Sequence, residues 1–284
     1  MLDRRTTHTR AHRLLADPRA AGLVSLVQAA ANPPAGAGRI MLALGMGLLT
    51  HLVFAAGVIA MIAAMFFGMS ESLGRVPAPW SVVTNAFLIL QFPLMHSLLL
   101  TPRGNRALAR LVPGPHGATL ATTTYALIAS TQLLMLFALW TPSGIVWWRA
   151  EGALFWIICT TYAGAWLFLV KASFDAGAEV QSGALGWMSL MGRIAPRFPD
   201  MPTLGLFRVI RHPIYLAFAL TLWTVPVWTP DQLALAIVFT AYCLLAPCLK
   251  ERRFETRYGD RFARYRASVP YMIPKFRRRP PDAQ

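Results

Sequence analysis

Charge is scarce in this chain, and acidic charge scarcer still: 14% of residues are charged, with 12 Asp and Glu against 27 Lys and Arg. Beside 56% hydrophobic residues, that shortage does not describe a soluble protein and makes the bilayer the expected solvent. Cysteine is equally sparse. The three present, Cys159, Cys243 and Cys248, form no CxxC and no even framework, so neither a disulfide scaffold nor a metal site is indicated. Internal repeats and low-complexity tracts are missing too. The Arg4-Arg5 pair resembles a twin-arginine signal, but the first apolar run begins only at Ile40 and is too long for a signal h-region, so the N-terminal segment is expected to stay on the mature protein.

What is present is long apolar sequence. Stretches free of Lys, Arg, Asp and Glu run over 40–70, 80–101, 117–148, 152–170, 213–230 and 232–249, each about the length that crosses roughly 30 Å of hydrocarbon. The fifth carries Pro213, Pro226 and Pro230 near its ends, where a missing N–H costs least. The fold class expected is therefore all-α, a polytopic membrane protein of about six transmembrane helices. The net charge of +15 invites a nucleic-acid reading, but its placement argues for topology. Segments 1–39, 102–118, 171–211 and 250–284 hold 6, 3, 5 and 11 of the Lys and Arg, and the alternate loops hold only Arg75 and Arg149. By the positive-inside rule both termini are cytoplasmic, in a membrane expected to be the bacterial inner one. The partners expected are the lipid bilayer and a small or lipophilic substrate, with no nucleic acid.

The chain divides into a basic N-terminal segment (1–39), four spans (40–170), a cytoplasmic loop (171–204), a helical hairpin with an amphipathic helix (205–275) and a basic tail (276–284). In the first, a surface helix over 11–30 would use Leu14, Leu15, Leu23, Val24 and Val27 as its apolar side; a disordered basic tail is the alternative. Near the end, Phe254, Tyr258, Phe262, Tyr265 and Val269 recur at spacings of four, four, three and four, one face of a helix. Arg252, Arg253, Arg257, Arg261, Arg264 and Arg266 take much of the rest, as in an amphipathic helix on the inner membrane surface.

The polar residues at the inner ends of the last two spans are the best lead to chemistry. Arg211-His212-Pro213-Ile214-Tyr215 opens the fifth and Lys250-Glu251-Arg252-Arg253 closes the sixth, with a turn at Thr229-Pro230-Asp231. At ~1.5 Å rise per residue the two arms are of nearly equal length. His212 and Glu251 are thus expected at one membrane depth, beside each other. The competing reading has the arginines snorkelling, His212 capping a helix and Glu251 in an ion pair. His96, inside the second span, is a candidate for facing substrate, or else a packing histidine.

Gly205-Leu206-Phe207, Arg211-His212-Pro213-Ile214-Tyr215-Leu216, Glu251, Tyr258-Gly259, Phe262, Tyr265 and Val269-Pro270 to Ile273-Pro274 resemble the C-terminal signature of the isoprenylcysteine carboxyl methyltransferase and phospholipid methyltransferase superfamily. Upstream, Met95-His96-Ser97, the arginines of 103–110, Tyr125 and Phe174-Asp175 are similar to bacterial methanethiol S-methyltransferases and nurim-like proteins. The resemblance implies S-adenosylmethionine at the cytoplasmic mouth, bound by Arg211, His212, Pro213, Ile214, Tyr215 and Glu251, with His96 and Arg252 toward substrate and no metal. It implies methyl transfer to a small thiol such as methanethiol, or to a lipophilic acceptor. Three positions depart from the family pattern: Lys250 where a first acid is usual, Ala217 where a glycine is, and Phe207 where a tyrosine is. If Lys250 merely replaces an acid, Lys250→Glu should tighten cofactor binding. The alternatives to a methyltransferase are a non-catalytic nurim-like membrane protein and an NADPH-dependent sterol-type double-bond reductase, whose Arg-His-Pro-x-Tyr is also similar.

Overall fold

The architecture is that of a computed structural model, which describes residues 18–112 and 114–274. Ten α-helices and two two-residue strands are seen among the described residues. They are α1 (Pro18–Ala31), α2 (Ala37–Phe66), α3 (Trp80–Leu99), α4 (Pro102–Leu111), α5 (Gly117–Leu139), β1 (Trp148–Arg149), α6 (Gly152–Gln181), α7 (Ala184–Gly192), α8 (Pro213–Trp223), β2 (Val227–Trp228), α9 (Pro230–Tyr258) and α10 (Asp260–Ser268), with a 3-10 turn at Gly205–Arg208. Five of them, α2, α3, α5, α6 and α9, are long and apolar enough to cross a membrane. The protein is an all-α polytopic membrane protein. Its apolar exterior agrees: Leu48, Ile59, Val82, Leu94, Trp156 and Leu167 are all largely exposed, as lipid-facing side chains should be.

The fifth apolar run is the one that departs from expectation. Its helix, α8, has 11 residues, about 16 Å at 1.5 Å per residue and only half the hydrocarbon thickness. Pro226 explains the stop, because the residue before a proline is pushed out of the helical region and proline itself has no N–H to continue the ladder. The chain then runs extended, and β2 pairs antiparallel with β1, Trp148 opposite Trp228. That pairing, with Trp147 N donating to Trp228 O at 2.9 Å, satisfies backbone that a helix would otherwise have satisfied internally.

The chain folds as two units, one of 1–149, 177–200 and 227–232, the other of 150–176, 201–226 and 233–284. Helix α6 passes from one to the other at Gly177, whose φ of 101° breaks the helix. In the first unit, small residues let helices approach, as is usual in lipid. A Cβ on Gly47 would sit 2.7 Å from the Trp187 ring, and one on Gly57 3.0 Å from the Ser130 carbonyl. Ala43, Leu120 and Leu190 form the buried contact of α2, α5 and α7. Polar side chains pair across helices: Gln91 and Gln132 exchange amide-to-carbonyl bonds of 2.9 and 3.2 Å. The Asp231 carboxylate accepts from the Trp140 indole at 3.1 Å and the Ser143 amide at 2.9 Å.

The N-terminal surface helix forms as α1, but with a different buried side. Leu26 and Ala30 are covered while Val24 and Val27 are exposed; Leu14 and Leu15 lie outside the described residues, as does the 276–284 tail. Ala29 packs against Gly192, so the helix takes its orientation from protein contact rather than from its most apolar stripe.

Candidate functional site

The second unit is organised around a polar knot. Helix α8 begins at Pro213, a residue preorganised for the first helical position, and this places His212 at its N-cap. Glu251 lies far along α9. Although 39 residues apart, the His212 Nε2 and Glu251 Oε1 atoms are 2.8 Å from each other, and Arg211 Nε donates to the same oxygen at 2.8 Å. The expectation that the hairpin would bring His212 and Glu251 together is met at hydrogen-bond distance.

The C-terminal segment completes the knot. Arg211 N donates to Pro270 O at 2.9 Å and His212 N to Tyr271 O at 3.2 Å. The Arg211 guanidinium also donates to the carbonyls of Arg266 and Val269. Tyr271 stands edge-on to the imidazole with centroids 4.7 Å apart, and its hydroxyl donates to Leu244 O at 2.9 Å. The Tyr265 hydroxyl donates to Phe207 O at 2.7 Å. On the far side, Asp175 of α6 accepts from Leu206 N at 2.8 Å and from the Lys171 ammonium. Gly205, at φ 61°, leans against that carboxylate so closely that a Cβ would overlap it. Glycine is required there both by the left-handed backbone and by the approach.

Of the other residues expected at the site, Tyr215 sits edge-on to His212 with centroids 6.0 Å apart. Ile214 occupies the first turn of α8 and is partly buried. Arg252 is exposed and makes no ion pair among the described residues. His96 belongs to the first unit, where its Nε2 lies 2.7 Å from the Tyr125 hydroxyl. Lys250 neighbours Glu251 but points elsewhere. Its ammonium lies over the rings of Phe207 and Phe254, at 5.6 and 5.4 Å from the centroids. Two of the departures from the family pattern, Lys250 and Phe207, thus touch each other.

Burial holds the His212 imidazole well below its ordinary pKa of 6.5, at about 4, against the pull of the Glu251 hydrogen bond. It is therefore neutral at physiological pH. A neutral ring facing a carboxylate presents Nε2–H to it, leaving Nδ1 as a bare acceptor. That Nδ1 is buried and has no hydrogen-bond partner among the described residues. Glu251 Oε2 likewise accepts no bond among the described residues.

The depressed pKa has a consequence for stability. A histidine whose folded pKa lies below its unfolded value contributes stability that is complete above the unfolded pKa and is lost as pH falls through the interval to the folded one. The protein in detergent is expected to lose stability between pH 6.5 and about 4, and His212→Gln to flatten that stretch of the profile. Thermal unfolding at stepped pH reads both curves; parallel slopes would contradict the buried neutral imidazole.

Comparison with known proteins places the chain in a family. Methanethiol S-methyltransferase 1 of Bradyrhizobium diazoefficiens is 31% identical over 199 residues, covering 68% of this chain and 67% of that protein. The chain belongs to the isoprenylcysteine carboxyl methyltransferase-like membrane family. Methanethiol S-methyltransferase 2 of the same bacterium is 28% identical over 71% of this chain and 77% of its own length. Nurim of Xenopus laevis is 28% identical over 64% and 70%. No family model matches the sequence, and no solved structure does. Arg211, His212, Tyr215 and Glu251 meet in the second unit, whereas His96 and Tyr125 lie in the first.

The knot also contains residues that sequence reasoning does not place in the site. Tyr271 and Tyr265 belong to the recognised tail, yet nothing in their spacing says that one packs on His212 and the other bonds to Phe207 O. The signals for Asp175 are its place among only 12 acids and the Phe174-Asp175 resemblance, neither of which says what it binds.

Proposed function

We propose that this protein is an S-adenosylmethionine-dependent methyltransferase, with its cofactor held by the 205–275 region at the Arg211–Glu251–His212 knot and a small thiol as acceptor. The observation that carries the reading is the buried Nδ1 of His212, which has no hydrogen-bond partner among the described residues, in the same knot as a Glu251 oxygen that accepts no bond there. A buried acceptor left unmade is costly; a ligand bringing N–H or O–H donors removes that cost. S-adenosylmethionine carries such donors on its ribose, adenine and ammonium groups, so the residues present fit it. Arg211, His212 and Glu251 would hold it, with Pro213, Ile214 and Tyr215 lining the site.

When bound, S-adenosylmethionine supplies an electrophilic methyl carbon on a sulfonium. The protein's part is alignment: the carbonyls of the tail fix the backbone of Arg211 and His212, and Glu251 fixes their side chains, so that acceptors are rigid before a ligand arrives. No side chain needs to abstract a proton if the acceptor arrives as a thiolate. Positive surroundings favour that form. Arg211 is compensated by Glu251, whereas Lys250, the next residue to Glu251 in the chain, has its ammonium over the rings of Phe207 and Phe254. The density of basic residues supports cytoplasmic termini and a cytoplasmic mouth.

Methanethiol S-methyltransferases among the relatives support the small thiol; relatives named nurim, at similar identity, favour a non-catalytic membrane protein as the second reading. Incubating the purified protein with methyl-labelled S-adenosylmethionine and methanethiol should give labelled dimethyl sulfide, with less label passing to an isoprenoid acid or a lipid amine. Absence of transfer to any acceptor would favour the second reading.

A further inference from the structure

The sequence suggests that the last helix lies with its apolar face in the membrane. The structure turns that face inward. Gly259, at φ 48°, breaks the helix between α9 and α10, and Phe262, Tyr265 and Val269 pack with Met201 in a buried cluster flanked by Phe254 and Tyr258. What α10 and the end of α9 leave outside is arginine. Arg252, Arg257, Arg261, Arg264 and Arg266 are exposed. Among these, Arg266 pairs with Glu255, whereas Arg252 and Arg264 have no carboxylate partner among the described residues.

The position of this face follows from continuity. Helix α9 runs unbroken from its apolar length to Tyr258, so Arg252 and Arg257 stand roughly 4 to 12 Å beyond Leu249 along the axis. That is headgroup depth for a helix whose apolar part crosses the hydrocarbon. The chain leaving α10 is the same segment whose carbonyls, at Arg266, Val269, Pro270 and Tyr271, receive the Arg211 guanidinium and the amides of Arg211 and His212. An arginine face and a strap on the knot are thus one piece of chain, joined through the Tyr265 hydroxyl to Phe207 O as well.

We infer that this arginine face binds anionic phospholipid headgroups and that the binding tightens the strap on Arg211 and His212, making the knot responsive to the charge of the membrane around it. Headgroup phosphates attract clustered arginines close to the surface and within a Debye length. A ligand that binds the strapped arrangement better than an unstrapped one shifts the population toward it, and by linkage any ligand of the knot strengthens lipid binding in return. The recognition is electrostatic and lies outside the hydrocarbon, because the apolar side of the segment is already occupied by protein.

The test reads the strap itself. The full chain is placed in nanodiscs of phosphatidylcholine alone or with about 30% phosphatidylglycerol, and amide hydrogen exchange is followed in peptides covering 209–212, without cofactor. Exchange at the Arg211 and His212 amides is expected to slow by about tenfold or more in the anionic discs. The doubly substituted Arg257→Gln, Arg264→Gln protein should exchange as the parent does in neutral discs and gain little from phosphatidylglycerol. Equal protection in both lipids would overturn the inference. So would the same gain on adding inorganic phosphate to neutral discs, since a free anion would then suffice. The cofactor arm rests on the function proposed above: S-adenosylmethionine should bind more tightly in anionic discs. Because the exchange measurement needs no cofactor, a protein that fails to bind S-adenosylmethionine yet shows lipid-dependent protection would contradict the cofactor assignment alone.

Discussion

His212→Ala and Glu251→Gln are each expected to weaken S-adenosylmethionine binding by one to two decades. Each removes one polar contact to a charged ligand, about 1.5 to 3 kcal/mol. Because His212 Nε2 and Glu251 Oε1 bond directly to each other, the losses should not add, and the double variant should lose less than the sum. Glu251→Gln also withdraws the carboxylate that compensates Arg211, a guanidinium with 11% of its side chain exposed. Its apo form should unfold at lower temperature than the His212 variant's, since stranding one member of a covered ion pair costs more than removing a neutral ring's hydrogen bond. Affinities are therefore to be measured by titration below both unfolding transitions. Parent-like affinity in both folded variants would remove the knot from the cofactor site.

Lys250→Glu is the second large effect, and the structure changes its expected sign. On sequence alone an acid at this position should help to hold ribose hydroxyls. The Lys250 ammonium, however, lies over the faces of Phe207 and Phe254, where a cation is attracted by the negative ring faces and a carboxylate is repelled. Removing both attractions and leaving a charge of the wrong sign between the rings should destabilise the protein by about 2 to 3 kcal/mol. Lys250→Met keeps the stem's packing and should cost about 1 kcal/mol. Thermal unfolding in detergent ranks the three proteins as parent, Met, then Glu. A glutamate variant as stable as the parent, binding cofactor more tightly, would show that the ammonium does not use the rings and that the sequence-based register is the better guide.

The spans are legible in the sequence because hydrophobic runs of this length have one solvent to match. The meeting of His212 with Glu251 is legible for a similarly simple reason, the equal arms of a hairpin, and it holds although one arm is not a full helix. Helix α8 is shorter than its apolar run because Pro226 stops it, and the run goes on into β2. The apolar stripe Phe254, Tyr258, Phe262, Tyr265 and Val269 is indeed one face, but periodicity does not say what covers a face, and here Met201 and neighbouring rings do rather than lipid. The strap is not legible at all. Its bonds run from amides of Arg211 and His212 to backbone carbonyls at Pro270 and Tyr271, and backbone acceptors carry no residue-type signature. The same holds for Asp175, whose task is to receive one amide and one ammonium around a glycine. Lys250 shows a different limit: its charge is visible in the sequence, while the two rings that hold it lie 43 residues upstream and four residues downstream.

The central claim is that the Arg211–Glu251–His212 knot holds S-adenosylmethionine, and isothermal titration of the purified full chain in detergent with that cofactor tests it most directly. The account predicts saturable one-to-one binding, displaced by S-adenosylhomocysteine, unaffected by NADPH and weakened by one to two decades in His212→Ala. Titration heat with NADPH in place of S-adenosylmethionine, or no binding of either by a folded protein, would contradict it.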